Sequence, residues 1–162
     1  MTKNDHLRKG YETLIGCCLE PARRTDLLQF TEVLFEEEGE LEAADALERF
    51  MSYLDNEGVH LLMGLDWKAQ VQDLQWAITS ALKMNYGASI ELPSASNYPR
   101  SASVSTEGVF TDYDKAIRAE GFEMSFVATD SDMYVVVVHK SADRKTVGEA
   151  IELMGFDRSG PA

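Results

Sequence analysis

The sequence predicts an α+β fold: a small, mainly antiparallel sheet with a C-terminal β-hairpin, covered by helices and preceded by N-terminal helices. Three observations carry this. Residues 122–140 read as two strands joined by a tight polar turn. Residues 1–56 contain three amphipathic helical stretches and no strand pattern. Residues 59–86 read as a short apolar run that passes directly into a long helix.

The helical part comes first. Leu7, Tyr11, Leu14, Ile15 and Cys18 recur at three- and four-residue spacing, predicting a helix over 6–19 that Pro21 stops. A second helix is expected from Thr25, an N-cap residue followed by Asp26 in the first turn. It carries Leu27, Leu28, Val33, Leu34 and Phe35 and runs into Glu36, Glu37, Glu38 and the break at Gly39. A third helix is expected over 40–55, with Leu41, Ala44, Leu47, Phe50, Met51 and Leu54 as its stripe. Glu40, Glu42, Asp45 and Glu48 lie on or beside its other face.

Residues 59–65 read as a buried strand ending at Asp66 and Trp67, followed by a helix over 68–86. At 100° per residue, Leu74, Ile78 and Leu82 cluster near Val71, while Trp76 falls about 140° away. Trp76 is therefore either packed between layers or exposed at a partner surface. Residues 89–92 are a further strand candidate, stopped by Pro93. The small, polar stretch up to Gly108 reads as a long loop with a short strand near 103–105. A helix over 111–120 carries Tyr113, Ala116 and Ile117 and ends at Gly121.

In the hairpin, Phe122, Met124, Phe126 and Ala128 alternate with Glu123, Ser125 and Val127, which predicts one buried and one partly wet face. Tyr134 to Val138 is continuously apolar and suits a central strand covered on both faces. Thr129, Asp130, Ser131 and Asp132 supply the turn. A last helix over 143–154 shows Val147, Ala150, Ile151 and Met154, after which the tail is expected to fray. The 162 residues contain no repeat and no linker, so a single domain over 1–162 is expected, divided into a helical part (1–56) and an α+β part (57–156).

Composition bounds the function. Acidic residues outnumber basic ones 28 to 15, a net charge of −13, which argues against nucleic-acid and anionic-membrane partners. No apolar run approaches the ~20 residues of a membrane span and the first residues are polar, so a cytoplasmic protein is expected. Cys17 and Cys18 are adjacent and imply neither a disulfide framework nor a zinc site. His6, His60 and His139 are scattered without ligand spacing, and no glycine-rich phosphate loop, nucleophile elbow or HExxH motif occurs. No metal and no cofactor are expected. Asp66, between a strand and a helix, is either a cap for that helix or a functional acid. Asp130 and Asp132 fit a turn better than a cation site.

Two stretches carry a resemblance. Leu65-Asp66-Trp67-Lys68 leading into Leu74 and Trp76, and Gly121-Phe122 to Val138 around Thr129-Asp130-Ser131-Asp132-Met133-Tyr134, resemble an uncharacterised bacterial domain family of small acidic cytosolic proteins. The resemblance covers residues 59–155 and transfers no catalytic residue. In size, acidity, lack of a catalytic motif and α+β layout, the chain is also similar to immunity proteins of bacterial toxin systems. That likeness implies a non-enzymatic protein that neutralises a basic toxin. Glu36, Glu37, Glu38, Glu40 and Glu42 would steer association, and Trp76, Tyr98 and Tyr113 would anchor it. The alternatives are a regulatory or ligand-binding domain, and a small hydrolase using Asp66 with Asp130 or Asp132.

Overall fold

The computed structural model describes residues 1–37 and 39–161. Its order is α1 (Lys3–Cys18), α2 (Arg24–Glu37), α3 (Ala43–Glu57), β1 (Met63–Asp66), α4 (Val71–Tyr86), α5 (Val109–Arg118), β2 (Phe122–Ala128), β3 (Met133–Lys140), α6 (Arg144–Leu153) and β4 (Asp157–Ser159). The strands form one antiparallel sheet in the order β1-β3-β2-β4. The fold is α+β, with the hairpin β2-β3 at the sheet centre.

Period-two alternation on β3 sorts the two cores. Val135 and Val137 join Leu14, Phe50, Leu54 and Ile151 in a cluster built from α1, α2, α3 and α6. Val136 and Val138 face the opposite way, into Leu74, Ile78, Tyr113 and Ile117 of α4 and α5. Helices therefore cover both sheet faces, and the four valines of β3 are all buried, as a continuous apolar run predicts. Close approach of α6 to α1 depends on Gly10. A Cβ there would lie 2.7 Å from the Ala150 carbonyl oxygen and 2.8 Å from Met154.

Several local expectations change. The second face of β2 is dry: Glu123 and Ser125 are fully buried, because α6 and β4 close over them. The tail does not fray, since Asp157–Ser159 pairs with Ala128, Val127 and Phe126. The strand expected over 59–65 shrinks to Met63–Asp66, and residues 89–92 form no strand, with Ile90 and Leu92 packed against the α4–α5 core. Near 103–105 only one bridge forms, Gln70 with Ser103, where Val104 N–H donates to Ala69 O at 2.9 Å. The helix after β1 starts at Val71, not at 68. The second helix starts at Arg24, entered through a 3-10 turn at Pro21–Arg23, so Thr25 is not its N-cap. Among the described residues, no helix is long and apolar enough to cross a membrane.

Candidate functional site

Two concave surfaces meet at the free edge of β1. The first is a groove of about 910 Å³ between α3, the β2-β3 turn and residues 155–157. Its floor is apolar: Leu47, Met51, Met133, Val135 and Phe156 line it. Gly64 keeps this floor open, because a Cβ there would sit 2.5 Å from Met133 Sδ. Its rim is acidic. Glu42, Glu48 and Asp55 come from or flank α3, Asp130 from the hairpin turn and Asp157 from β4. The described lining contains no Lys, Arg or His.

The second is a cleft of about 540 Å³ on the other side of β1, between the end of α3 and the start of α4. Asp55 and Gly64 line both surfaces, and Asp66, Asp73, His60 and Trp76 complete the polar and aromatic part of the cleft. Trp76 is 64% exposed, and its ring meets His60 edge-on at 5.2 Å. Burial lowers the pKa of His60, and Arg23 adds to that, against the opposing pull of Asp55.

The sequence-nominated residues scatter. Glu36 is not a free charge, since Arg8 lies 3.4 Å from it and also pairs with Glu12 and Glu32. Glu37 ends α2, and Glu38 lies outside the described residues. Glu40 is exposed beyond α2, and Glu42 sits on the groove rim, where Lys3 Nζ approaches to 3.0 Å. Tyr98 is half-buried on α5, its hydroxyl donating to Asp112 at 2.6 Å. Tyr113 cannot be a surface anchor: it is fully buried and its hydroxyl donates to Pro93 O at 2.7 Å, tying the long loop to α5. Asp66 does not cap α4. Its Oδ1 accepts from Lys68 N at 2.8 Å within the turn, while the helix is closed by a capping box between Gln70 and Asp73. Asp66 and Asp130 line different concavities, so the structure does not bring them together as a carboxylate pair.

A polar cluster that the sequence reading missed lies inside the sheet. Glu123 is fully buried and receives Arg144 at 2.9 Å, Arg118 at 3.3 Å and Arg158 at 3.7 Å. Opposite it on β3, His139 Nδ1 lies 2.8 Å from Lys140 O, a group that can only accept. The proton therefore sits on Nδ1, and Ser125 donates to Nε2 at 2.7 Å. Arg158 Nε donates to the same Ser125 Oγ at 3.0 Å. A hydroxyl donating to an imidazole is the geometry of nucleophile and base. Here both groups are fully buried, and neither concavity described above reaches them. The cluster fastens β2, β3, β4 and α6 together. Burial raises the Glu123 carboxyl pKa, but the Arg144 hydrogen bonds and nearby positive charge outweigh it and hold it below the ordinary value. Burial lowers the pKa of His139 and keeps it neutral in the fold. Among the described residues, no three His, Cys, Asp or Glu side chains group as metal ligands.

A family model described as a domain of unknown function (DUF6630) matches residues 8–159. The match includes the N-terminal helices, a wider span than residues 59–155. No curated protein and no solved structure matches the chain.

Proposed function

The chain belongs to this DUF6630 family of domains of unknown function, and from that premise we propose that it is a non-enzymatic protein-binding protein that takes a basic partner. The observation that carries this is the groove beside α3: an apolar floor under five carboxylates, of which Glu42 is paired with Lys3 while Glu48, Asp55, Asp130 and Asp157 take part in none of the described ion pairs. A basic segment with apolar side chains would satisfy both parts. Carboxylates at the rim accelerate encounter, and the floor around Met51, Met133 and Phe156 supplies the desolvated contact that holds the complex. The specific form we propose is an immunity protein of a bacterial cytoplasm, which neutralises a basic toxin by occupying its substrate groove. The acidic surface used is the α3 groove rather than the Glu36–Glu38 run, because the groove sets its carboxylates over an apolar floor, whereas Glu36 shares Arg8 with Glu12 and Glu32.

The experiment is association kinetics with the basic product of an adjacent gene, at low and high salt. Glu48→Gln with Asp130→Asn is expected to slow association about tenfold at low salt, the scale of electrostatic steering. The difference should shrink at 0.5 M salt, where screening falls well inside the ~10 Å reach found at 0.1 M. A salt-insensitive rate, unchanged in the double variant, removes the groove from the interface. No association removes the immunity reading for that pair.

A further inference from the structure

The edge of the sheet at β1 is open in a way the rest of the fold does not require. Trp67 N–H donates to Asp132 O at 3.1 Å, and the ladder runs Met63↔Val136, Gly64↔Val135, Leu65↔Tyr134 and Asp66↔Met133. Hydrogen-bonded pairs in an antiparallel ladder alternate. Residues 67, 65 and 63 therefore bond to β3, and Gly64 and Asp66 turn their backbone groups the other way. Asp66 O is taken by Ala69 N at 2.8 Å. The Gly64 N–H, the Gly64 C=O and the Asp66 N–H have no backbone or side-chain partner among the described residues. They face the cleft between α3 and α4, whose floor is this edge.

The walls of that cleft specify an occupant. Asp55 stands on the α3 side, Asp73 on the α4 side and Asp66 at the strand end, and the lining contains no Lys or Arg. Asp66 and Asp73 each give one oxygen to a local backbone N–H, Lys68 at 2.8 Å and Gln70 at 3.0 Å, and keep the other. Trp76 offers an exposed indole against which a guanidinium or a lysine stem can lie. His60 stays uncharged beside it at neutral pH, since burial lowers its pKa.

We propose that β1 is a docking edge: a basic, extended segment of the partner adds to it as a fifth strand, held by the backbone groups of Gly64 and Asp66. A strand rises about 3.3 Å per residue, so four partner residues span β1. Their side chains alternate between the Asp55 wall, which takes a Lys or Arg, and the opposite wall, where the exposed Trp76 ring takes an apolar side chain or a lysine stem beside Asp73. Main-chain pairing supplies the affinity and the two walls supply the selectivity. The inference rests on the basic-partner reading above and gives it a geometry.

The test uses the full chain and an alternating Lys-Val octapeptide, with a Glu-Val octapeptide and a Lys-Val peptide N-methylated at alternate residues as controls. Binding is read by fluorescence anisotropy and amide exchange. The Lys-Val peptide is expected to bind at least about tenfold more tightly than either control, a factor worth ~1.4 kcal/mol. The Gly64 and Asp66 amides should gain about tenfold protection, as amides do on entering a ladder. Trp76→Ala, with unchanged circular dichroism, should weaken binding. Peptide binding without added protection at Gly64 and Asp66, or binding indifferent to N-methylation, overturns strand addition while leaving the acidic groove as the binding surface. No binding of the Lys-Val peptide also overturns it; the kinetics with the adjacent gene product decide the broader reading separately.

Discussion

Glu123→Gln isolates what the buried cluster contributes. The substitution keeps the side chain's shape and removes its charge. In the wild type the carboxylate is fully buried, while the three guanidinium side chains around it are 44, 52 and 28% exposed. Breaking a fully buried ion pair costs about 3–5 kcal/mol, chiefly because a charge is stranded. Here the stranded charges can swing toward water, which lowers the figure. The remaining loss is that of charge-assisted hydrogen bonds from Arg144 and Arg118 to one buried acceptor. Together these place the cost of Glu123→Gln at about 2–4 kcal/mol. With a urea slope in the ordinary range for a small protein, the midpoint should fall by roughly 1–2 M. The slope itself should not change, since the same surface is exposed on unfolding. A midpoint within about 0.3 M of wild type would refute the reasoning, being under the smallest slope-scaled loss.

The same variant makes a pH prediction whose sign follows from the two shifts. The Glu123 pKa is held below its ordinary 4.5, so its contribution is present above 4.5 and lost as pH falls through the lower folded value. The His139 pKa is lowered below its ordinary 6.5, so the unfolded chain binds its proton first and stability declines as pH drops below 6.5. Wild type should therefore weaken in two stages, first from His139 and then from Glu123. In Glu123→Gln the second stage disappears. The first deepens, because the carboxylate that favoured the imidazolium is gone. Profiles of equal shape for the two proteins would contradict this.

Two further substitutions test the frame. Val136 is fully buried between Met63 and Phe126 on the central strand, and Val136→Asp should leave the protein unfolded or insoluble, since an unpaired buried charge costs several kcal/mol; a soluble variant with a cooperative melt would contradict the assigned strand order. Asp66→Ala should cost only about 0.5 kcal/mol, the low end for a lost cap, and less than Asp73→Ala, which opens the Gln70 capping box; thermal melts showing the reverse ranking would return the cap to Asp66.

What the sequence made legible was decided by range. Tyr134 to Val138 announces a central strand because five consecutive apolar residues need both sheet faces covered. The stripe Leu47, Phe50, Met51, Leu54 announces α3 through local periodicity alone. Glu123 and Ser125 misled because polar residues alternating with apolar ones ordinarily mark a wet face. Nothing near them reveals that Arg144 and Arg158, 21 and 33 residues away from their respective partners, will arrive to satisfy them. Asp157–Ser159 has no strand composition; it becomes a strand only because β2 offers it an edge. The turn from Asp66 to Gln70 contains two good capping patterns, and only the geometry separates them. The groove was invisible for the same reason as the arginine cluster. Glu48, Asp130 and Asp157 share no periodicity and come together through three elements packed far apart in sequence.

That distribution changes what a net charge of −13 means. A uniform acidic coat would keep the chain dispersed and favour no particular surface. The described ion pairs are not uniform. Lys3, Arg8 and Arg23 are engaged along the N-terminal helices, and Arg118, Arg144 and Arg158 are gathered around Glu123. Glu48, Asp55, Asp130 and Asp157 take part in none of the described pairs, although they border the apolar floor beside β1. The fold thus spends part of its limited positive charge on holding helices and strands together and leaves the negative field concentrated where apolar surface is also exposed. Solubility needs only the magnitude of such a field. Its position over Met51, Met133 and the open edge at Gly64 is the feature the proposed recognition of a basic segment would use.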